Sequence, residues 1–453
     1  IATGACLQAW SGKWLIERFL KTNARTLEQE HSAATFLSLG GLIACLISSS
    51  CGTSVLHFSG LLNGSDTVFA WWIWYLGDAL GTLTITPLLL FLLDPDKQQI
   101  ERGKRLAPPN LLLFLLIGLS FFGAGHWQEA EMEKQLETDG AAIAKLIDNR
   151  LLAHREVLAS LRRFLEVTPD LSFSQFERFT ASTLLDNSDI FALSFNSDVR
   201  QSQRMSFERA MSEQTRLPGY QITERNKDNK LVRASEREQY VAVSYIAPLQ
   251  SNLSALGFDL NSEPLRKKTL ELARLSGKLV ITPPIQLVQE KQNRIGILAI
   301  EPTLHDLQQS GFAVAVIKVD QMIELAIQGK LPSGLKLEIH DKDTVDRSMQ
   351  LFSSPPEAGG DYVKMPWIKT LEVGNRNWEI HLYGSPLYAQ EHRHWIVWLI
   401  GLIGLLFVSV LQTLILGLSG RSAIIQRQVD AQMEETRQAA LNLEKANRLL
   451  NEA

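Results

Sequence analysis

Cysteine is scarce in this chain: Cys6, Cys45 and Cys51 are the only three in 453 residues. All three fall in apolar sequence and the polar middle has none, so no disulfide framework staples that middle. Positive charge is not in excess either. The 45 Lys and Arg face 49 Asp and Glu, for a formal charge of −4, which lacks the basic face that nucleic-acid binding requires. Catalytic signatures are missing: there is no GxGxxG, P-loop, CxxC or HExxH, and no GxSxG nucleophile turn. The histidines are scattered apart from His392 and His394, which read as anchors beside an apolar segment rather than as metal ligands. Thus no catalytic residue, metal site or cofactor site is expected. No signal peptide is visible. Ile1 opens within an apolar run and Ala453 stops within a helical pattern, which reads as a piece cut inside an element at each end.

What is present is unevenly spread. Hydrophobic residues make up 45% and charged ones 21%, for a mean hydropathy of −0.02. Long uncharged stretches nevertheless sit at both ends, around a polar middle. Segments 34–62, 66–93, 110–126 and 395–418 approach or exceed the roughly 20 residues that span a bilayer as helix, and residues 1–20 read as the tail of a fifth. The loop near 17–33 carries Arg18, Lys21 and Arg25, and that at 94–109 carries Lys97, Arg102, Lys104 and Arg105, whereas the turn at 62–65 carries no basic residue. By the positive-inside rule the first two loops are cytoplasmic and 127–394 lies outside. Asp78 is an acid well inside a span, costly there unless paired or facing a cavity. It reads as a hydrogen bond between helices, a polar contact in a ligand site or a proton-linked switch.

Residues 127–166 repeat apolar side chains at helical spacing, through Leu136, Ile143, Ile147, Leu151, His154, Leu158, Leu161 and Leu165, and predict one long helix able to pair with its copy. Beyond it, 190–197, 220–225, 240–249, 278–288, 294–304, 312–320, 335–340, 362–367 and 376–383 read as strands. Helices are expected at 203–214 and 262–275, the second capped by Ser262 with Pro264 in its first turn. After 418, Ile425, Val429, Gln432, Thr436, Ala439, Leu443, Ala446 and Leu450 keep four-three spacing, as a parallel coiled coil with two polar core positions would.

The stretch VAVSYIAPLQSNLSALGFDLNSEPLRKKTLELARLSGKLVITPPIQLV (241–288) resembles the central signature of CHASE domains, the extracellular sensors of histidine kinases and cyclic-dinucleotide enzymes. VRQSQRMSFERAM and PGYQITERN before it and GFAVAVIKVD after it follow the family's order, so the resemblance spans 127–390. FAWWIWYLGDALGTLTITPLLL (69–90) resembles the last part of the membrane-associated sensor domain of the first MASE type. That family has more spans, which places the missing ones before Ile1. The CHASE resemblance implies a long dimerising helix and two PAS-like lobes, with a small ligand in the membrane-distal one. Phe195, Tyr245, Gln250, Thr282 and Leu298 are the pocket residues expected from it. In the plant cytokinin-receptor branch a carboxylate holds the adenine-like ring. Gln250 stands at that position here and Ile300 at a pocket threonine, departures that argue against cytokinin. Asp259, Arg266 and Glu301 are expected to make structural polar contacts.

The expected fold is therefore a multi-pass α-helical membrane bundle, an extracytoplasmic α+β domain and a C-terminal coiled-coil helix. Its parts are a partial MASE-type bundle (1–126), a CHASE sensor (127–394), a transmembrane helix (395–418) and a cytoplasmic signalling coiled coil (419–453). The expected function is the sensory segment of a bacterial inner-membrane receptor. A histidine-kinase output beyond Ala453 is favoured, with a diguanylate cyclase or phosphodiesterase as the alternative. A transporter is less favoured because no internal repeat is visible, and a structural adhesion protein fits poorly because the middle is not a repetitive β-sandwich pattern. The expected partners are a small extracellular ligand, membrane lipid, a second parallel copy and, through the output, a response regulator; nucleic acid is excluded.

Overall fold

In a computed structural model the apolar ends and the polar middle separate into two units, Ile1–Glu131 with His392–Ala453, and Met132–Glu391. The structure describes residues 2–20, 27, 30–62, 64–168, 170–217, 219–286, 295–303, 310–344, 349–355, 366–392 and 396–452. Lys21 and Arg25 of the first basic loop, His394, and most of the strand expected at 362–367 lie outside the described residues, as do 287–288, 294 and 304 of two other strands.

The first unit opens with α1 (Ala2–Phe19) and α2 (Glu30–Phe36). A π-helical stretch, Leu37–Ile43, leads into α3 (Cys45–Phe58), and α4 spans Gly64–Leu92. Between apolar helices in lipid, close packing rather than the hydrophobic effect drives association, and small residues permit it. A β-carbon on Gly41 would lie 2.7 Å from the Leu83 side chain, and one on Gly52 would lie 2.6 Å from the Trp74 ring. Helix α5 runs from Lys97 to Val167 and contributes to both units.

The second unit is built on the latter part of α5. Ser172 caps α6 (Phe173–Asp186) in a box with Gln175, whose backbone N–H it accepts. There follow β1 (Ile190–Arg200), α7 (Arg204–Thr215), the short pair β2 (Thr223–Arg225) and β3 (Leu231–Arg233), and β4 (Gln239–Ala247). A single turn, α8 (Leu249–Asn252), and two 3-10 turns between Leu253 and Ser262 lead to α9 (Pro264–Ser276). Then come β5 (Val280–Ile281), β6 (Ile285–Gln286), β7 (Ile295–Thr303), β8 (Gly311–Lys318) and α10 (Val319–Ile327). The large sheet is antiparallel, ordered β4-β1-β8-β7-β5, with β6 also on β7. A second antiparallel sheet has the order β10-β9-β12-β11, from β9 (Leu335–Asp341), β10 (Met349–Ser353), β11 (Trp367–Val373) and β12 (Arg376–Gly384). The unit closes with α11 (Pro386–Glu391).

Alternation along the central strands gives the large sheet two buried faces. On one face Leu193, Ala247, Ala299, Ala313 and Ala315 meet Ile143, Ile147, Leu158 and Leu161 of α5, and the same core continues into Leu337, Ile339, Trp378 and Ile380 of the small sheet. Alanines on that face let the helix lie close to the sheet. On the other face Val241, Val243, Leu298, Ile300, Phe312, Val314 and Val316 pack against Leu270 and Ala273 of α9. A buried clamp fixes α5 to the start of β1: both Arg150 and His154 approach Asp189, with His154 Nε2 2.8 Å from Asp189 Oδ2 and Arg150 Nε donating to it at 2.8 Å. Burial alone would push the Asp189 carboxyl up, but the His154 and Arg150 hydrogen bonds outweigh it and hold the carboxyl well below the usual carboxylate range.

The chain returns to the first unit with α12 (Ile396–Glu452), one helix of 57 residues. Leu405, Val408, Gln412 and Leu416 are buried in that unit's core, and the side chains described beyond Ile424 are mostly exposed. Among the described residues, four helical stretches are long and apolar enough to cross a membrane: His31–Phe58, Asp66–Leu92, Lys97–Val167 and Trp398–Lys445. They contain or overlap the four expected spans. Several local expectations need correction. Glu263, not Ser262, is the N-cap of α9; the Ser262 hydroxyl instead donates to the Asp259 carbonyl, because a 3-10 turn ends there. Helices α6 and α10 occupy sequence read as mixed or as strand, and the strand expected at 220–225 shrinks to β2.

Candidate ligand-binding site

Two openings flank the large sheet, one on each face. Beneath the α9 face lies a cavity of about 30 Å³. Its walls are apolar, with Val243, Ile246, Leu298, Val314 and Val316 from the sheet, and Ala255, Phe258 and Leu260 from the 3-10 segment. Three polar side chains also reach it: Ser194 and Asn196 on β1 and Arg266 on α9. Asn196 is fully buried, and its Nδ2 donates to Ser194 Oγ at 3.2 Å and to the Phe312 carbonyl at 3.5 Å. The Arg266 side chain is 5% exposed, with Nε 2.5 Å from Glu263 Oε2, and its guanidinium lies 5.1 Å from the centre of the Phe258 ring. Burial pulls the Arg266 pKa below the ordinary guanidinium value, partly offset by Glu263.

The 3-10 wall is held by a second buried group. Asp259 Oδ1 accepts the backbone N–H groups of Val241 at 2.8 Å and Asn261 at 3.0 Å, and its Oδ2 accepts from Arg237 Nη1 at 2.8 Å. Burial pushes this carboxyl up, against those donors. Gly257 has φ +78°, and a β-carbon there would lie 2.3 Å from the Gln221 carbonyl, so only glycine allows the wall its path.

On the α5 face a wider, more polar crevice of about 480 Å³ is bordered by Phe195, Tyr245, Gln214, Ser206 and Asp198. Tyr245 donates to the Leu171 carbonyl at 2.8 Å and to Gln214, and burial pushes its phenol up to about 12. Asp198 is paired with Arg274.

The five expected pocket residues therefore do not converge. Leu298 lines the cavity, whereas Phe195 and Tyr245 border the crevice on the opposite face. Thr282 is fully buried, its hydroxyl accepting the Leu298 N–H at 3.0 Å, and Gln250 is exposed on α8. The reason is strand geometry: Phe195 and Asn196 are neighbours and point to opposite faces, and the register shift after Phe195 sets Tyr245 opposite it and Val243 opposite Asn196. Of the three expected structural contacts, Asp259 holds the wall and Glu301 Oε1 lies 3.0 Å from Arg162 Nε, but Arg266 reaches the cavity. Asn196 and Arg266 were legible in principle. Asn196 is a polar residue inside an apolar strand, and Arg266 shares the buried stripe of Thr269, Leu270 and Ala273. In the first unit, Asp78 is half-buried, with Oδ2 lacking a hydrogen-bond partner among the described residues. No group of three or more His, Cys, Asp or Glu among the described residues is placed to hold a metal ion.

Comparison with known families bears on both units. Residues 169–352 match the model of the CHASE domain, and residues 1–125 match that of MASE1. The chain carries a MASE1 segment followed by a CHASE domain. The CHASE match is narrower than 127–390, ending within β10, yet it contains every residue lining the cavity. No curated protein matches the chain. Solved structures with similarity include an extracellular ligand-binding receptor from Desulfohalobium retbaense, at 12% identity and a TM-score of 0.34, covering 56% of this chain and 40% of that one. Another is the ligand-binding domain of the Pseudomonas aeruginosa amino-acid chemoreceptor PctC in complex with GABA, at 12% identity and a TM-score of 0.34, covering 56% of this chain and 99% of that one. A third is the ligand-binding domain of the Pseudomonas fluorescens chemoreceptor CtaA in complex with L-valine, at 12% identity and a TM-score of 0.32, covering 56% and 98%.

Proposed function

We propose that the chain is the sensory part of a bacterial inner-membrane signalling protein, and that its CHASE domain binds a small extracytoplasmic molecule in the cavity under α9. The observation that carries this reading is a buried Arg266 beside Asn196 and Ser194 in an otherwise apolar pocket. A few convergent polar groups on apolar walls are the usual make-up of a small-molecule site, and a cation there suits a ligand with a carboxylate or comparable anionic group. At about 30 Å³ the cavity holds one water-sized molecule. A ligand of several heavy atoms therefore requires the Leu253–Ser262 wall to open, and it acts through its different affinity for the open and closed states.

The rest of the reading follows the family resemblance and the charge pattern. The two sheets are taken as two PAS-like lobes outside the membrane, with the basic loop at 94–109 and the α12 tail in the cytoplasm. Ile425, Val429 and Leu443 are exposed on α12, which suits pairing with a parallel second copy. The output is read as a histidine kinase acting on a response regulator, with a diguanylate cyclase or phosphodiesterase as the alternative. Thermal unfolding of the full chain in nanodiscs, screened against small carboxylic acids, tests the binding claim. At least one acid should stabilise the protein, by about 2.7 kcal/mol at a hundredfold excess over Kd, and Val314→Phe, which fills the cavity, should abolish the shift. Stabilisation that survives Val314→Phe refutes the assigned site.

A further inference from the structure

The first unit holds a second opening whose chemistry differs from that of the sensory cavity. A cleft of about 440 Å³ lies between the start of α5 and α12, lined by Lys97, Arg102, Arg105, Ser419, Ser422 and Gln426 among others. Its one carboxylate, Glu101, accepts from Lys104 Nζ at 2.8 Å. The cleft thus presents three cations against a single, already paired acid. Arg102 forms its inner end: it is buried, stacks 4.5 Å from the centre of the Phe91 ring, and donates to the Leu27 and Leu416 carbonyls and to Ser419 Oγ at 2.9–3.1 Å. Lys97 and Arg105 are exposed at its mouth beside the Ser422 hydroxyl.

Its place along the helices identifies the occupant. The apolar run of α4 ends at Leu92, that of α12 ends at Leu418, and that of α5 begins at Leu111 after Pro108 and Pro109. The cleft sits where the α4 and α12 runs stop, with Arg102 level with Phe91 and Leu416, which on the membrane reading is the boundary between hydrocarbon and water. Basic pockets between helices at that depth suit lipid headgroups, and each Lys or Arg near an anionic surface adds attraction. We propose that this cleft binds the phosphate of an anionic phospholipid, with Lys97 and Arg105 pairing with the charge and Ser422 donating a hydrogen bond. The lipid then bridges α5 and α12 at the point where α12 leaves the apolar layer. This rests on the membrane reading of the first unit and is independent of any ligand in the CHASE domain.

The test uses the full chain in nanodiscs of phosphatidylcholine with and without phosphatidylglycerol, reading lipid retained through detergent extraction and the thermal midpoint. Phosphatidylglycerol should be retained in preference to phosphatidylcholine and raise the midpoint. Lys97→Gln with Arg105→Gln should lower that preference by about 30-fold, the attraction of two cations, while Lys145→Gln, on the exposed surface of the second unit's part of α5, leaves it unchanged. Equal retention by the double variant overturns the proposal, and so does an equal midpoint shift from soluble glycerol phosphate, which would make the occupant a free anion. A chain that is not recovered in nanodiscs at all counts against the membrane reading instead.

Discussion

Replacing Arg266 by methionine separates a binding role from a packing one, because the two predict opposite costs. In the free protein Arg266 is 5% exposed, but its partner Glu263 is 37% exposed and returns to water cheaply when the pair is broken. Methionine fills similar length without the desolvation penalty of a buried cation. What is lost is the stacking on Phe258, about 0.5–2 kcal/mol. Denaturant unfolding should therefore show Arg266→Met destabilised by less than about 2 kcal/mol. Binding responds differently. Removing one member of a buried charge pair with the ligand costs about 2–5 kcal/mol, or roughly 30- to 4,000-fold in Kd. Calorimetric titration with whichever carboxylic acid stabilises the wild type measures this. A variant that loses more than about 3 kcal/mol of stability and binds with unchanged Kd would make Arg266 a core cation with no part in binding.

Other outcomes follow from the same structure. Asp189→Asn should destabilise the second unit at neutral pH by about 3 kcal/mol, since it leaves Arg150 and His154 without their carboxylate. With a depressed folded pKa, this stability is complete above the unfolded carboxyl value of about 3.9 and is lost as pH falls below it. The difference between variant and wild type in an acid titration should therefore shrink below about pH 4. Gly257→Ala, forced to a positive φ against the Gln221 carbonyl, should cost at least about 2 kcal/mol in denaturant unfolding. Trp378→Ala, in the fully buried centre of the small sheet, should cost about 3–5 kcal/mol. Val429→Asp with Leu443→Asp should abolish disulfide cross-linking between cysteines placed at position 436 of two copies, without changing the unfolding midpoint.

Much of the architecture was legible in the sequence because it rests on period and length. Uncharged runs long enough to span hydrocarbon have few other uses, and the stripe from Leu136 to Leu165 is buried much as its helical spacing implies. Strands with a clear apolar pattern, such as 190–197 and 376–383, appear close to their expected bounds. Helix α6 falls in sequence that reads as mixed, although Ser172 and Gln175 form a capping box at its start. Helix α10 was hidden by the apolar run of β8, which passes straight into it at Val319. The site was less legible than the fold. Which residue of a fully buried strand faces which layer depends on pairing register, and the shift after Phe195 is set by the partner strand β4 rather than by β1 itself. Arg266 makes the structural contact expected of it, with Glu263, and the cavity it also reaches is formed by residues distant in sequence that helical spacing does not reveal.

The proposed sensory role depends on a small ligand occupying the α9 face of the large sheet. A crystal or electron-microscopy structure of the chain with its most stabilising carboxylic acid tests this most directly. Ligand density is expected against Arg266, Asn196 and Ser194, with the Leu253–Ser262 wall displaced outward. Density instead in the crevice beside Phe195, Tyr245 and Gln214, with that wall unmoved, would contradict it.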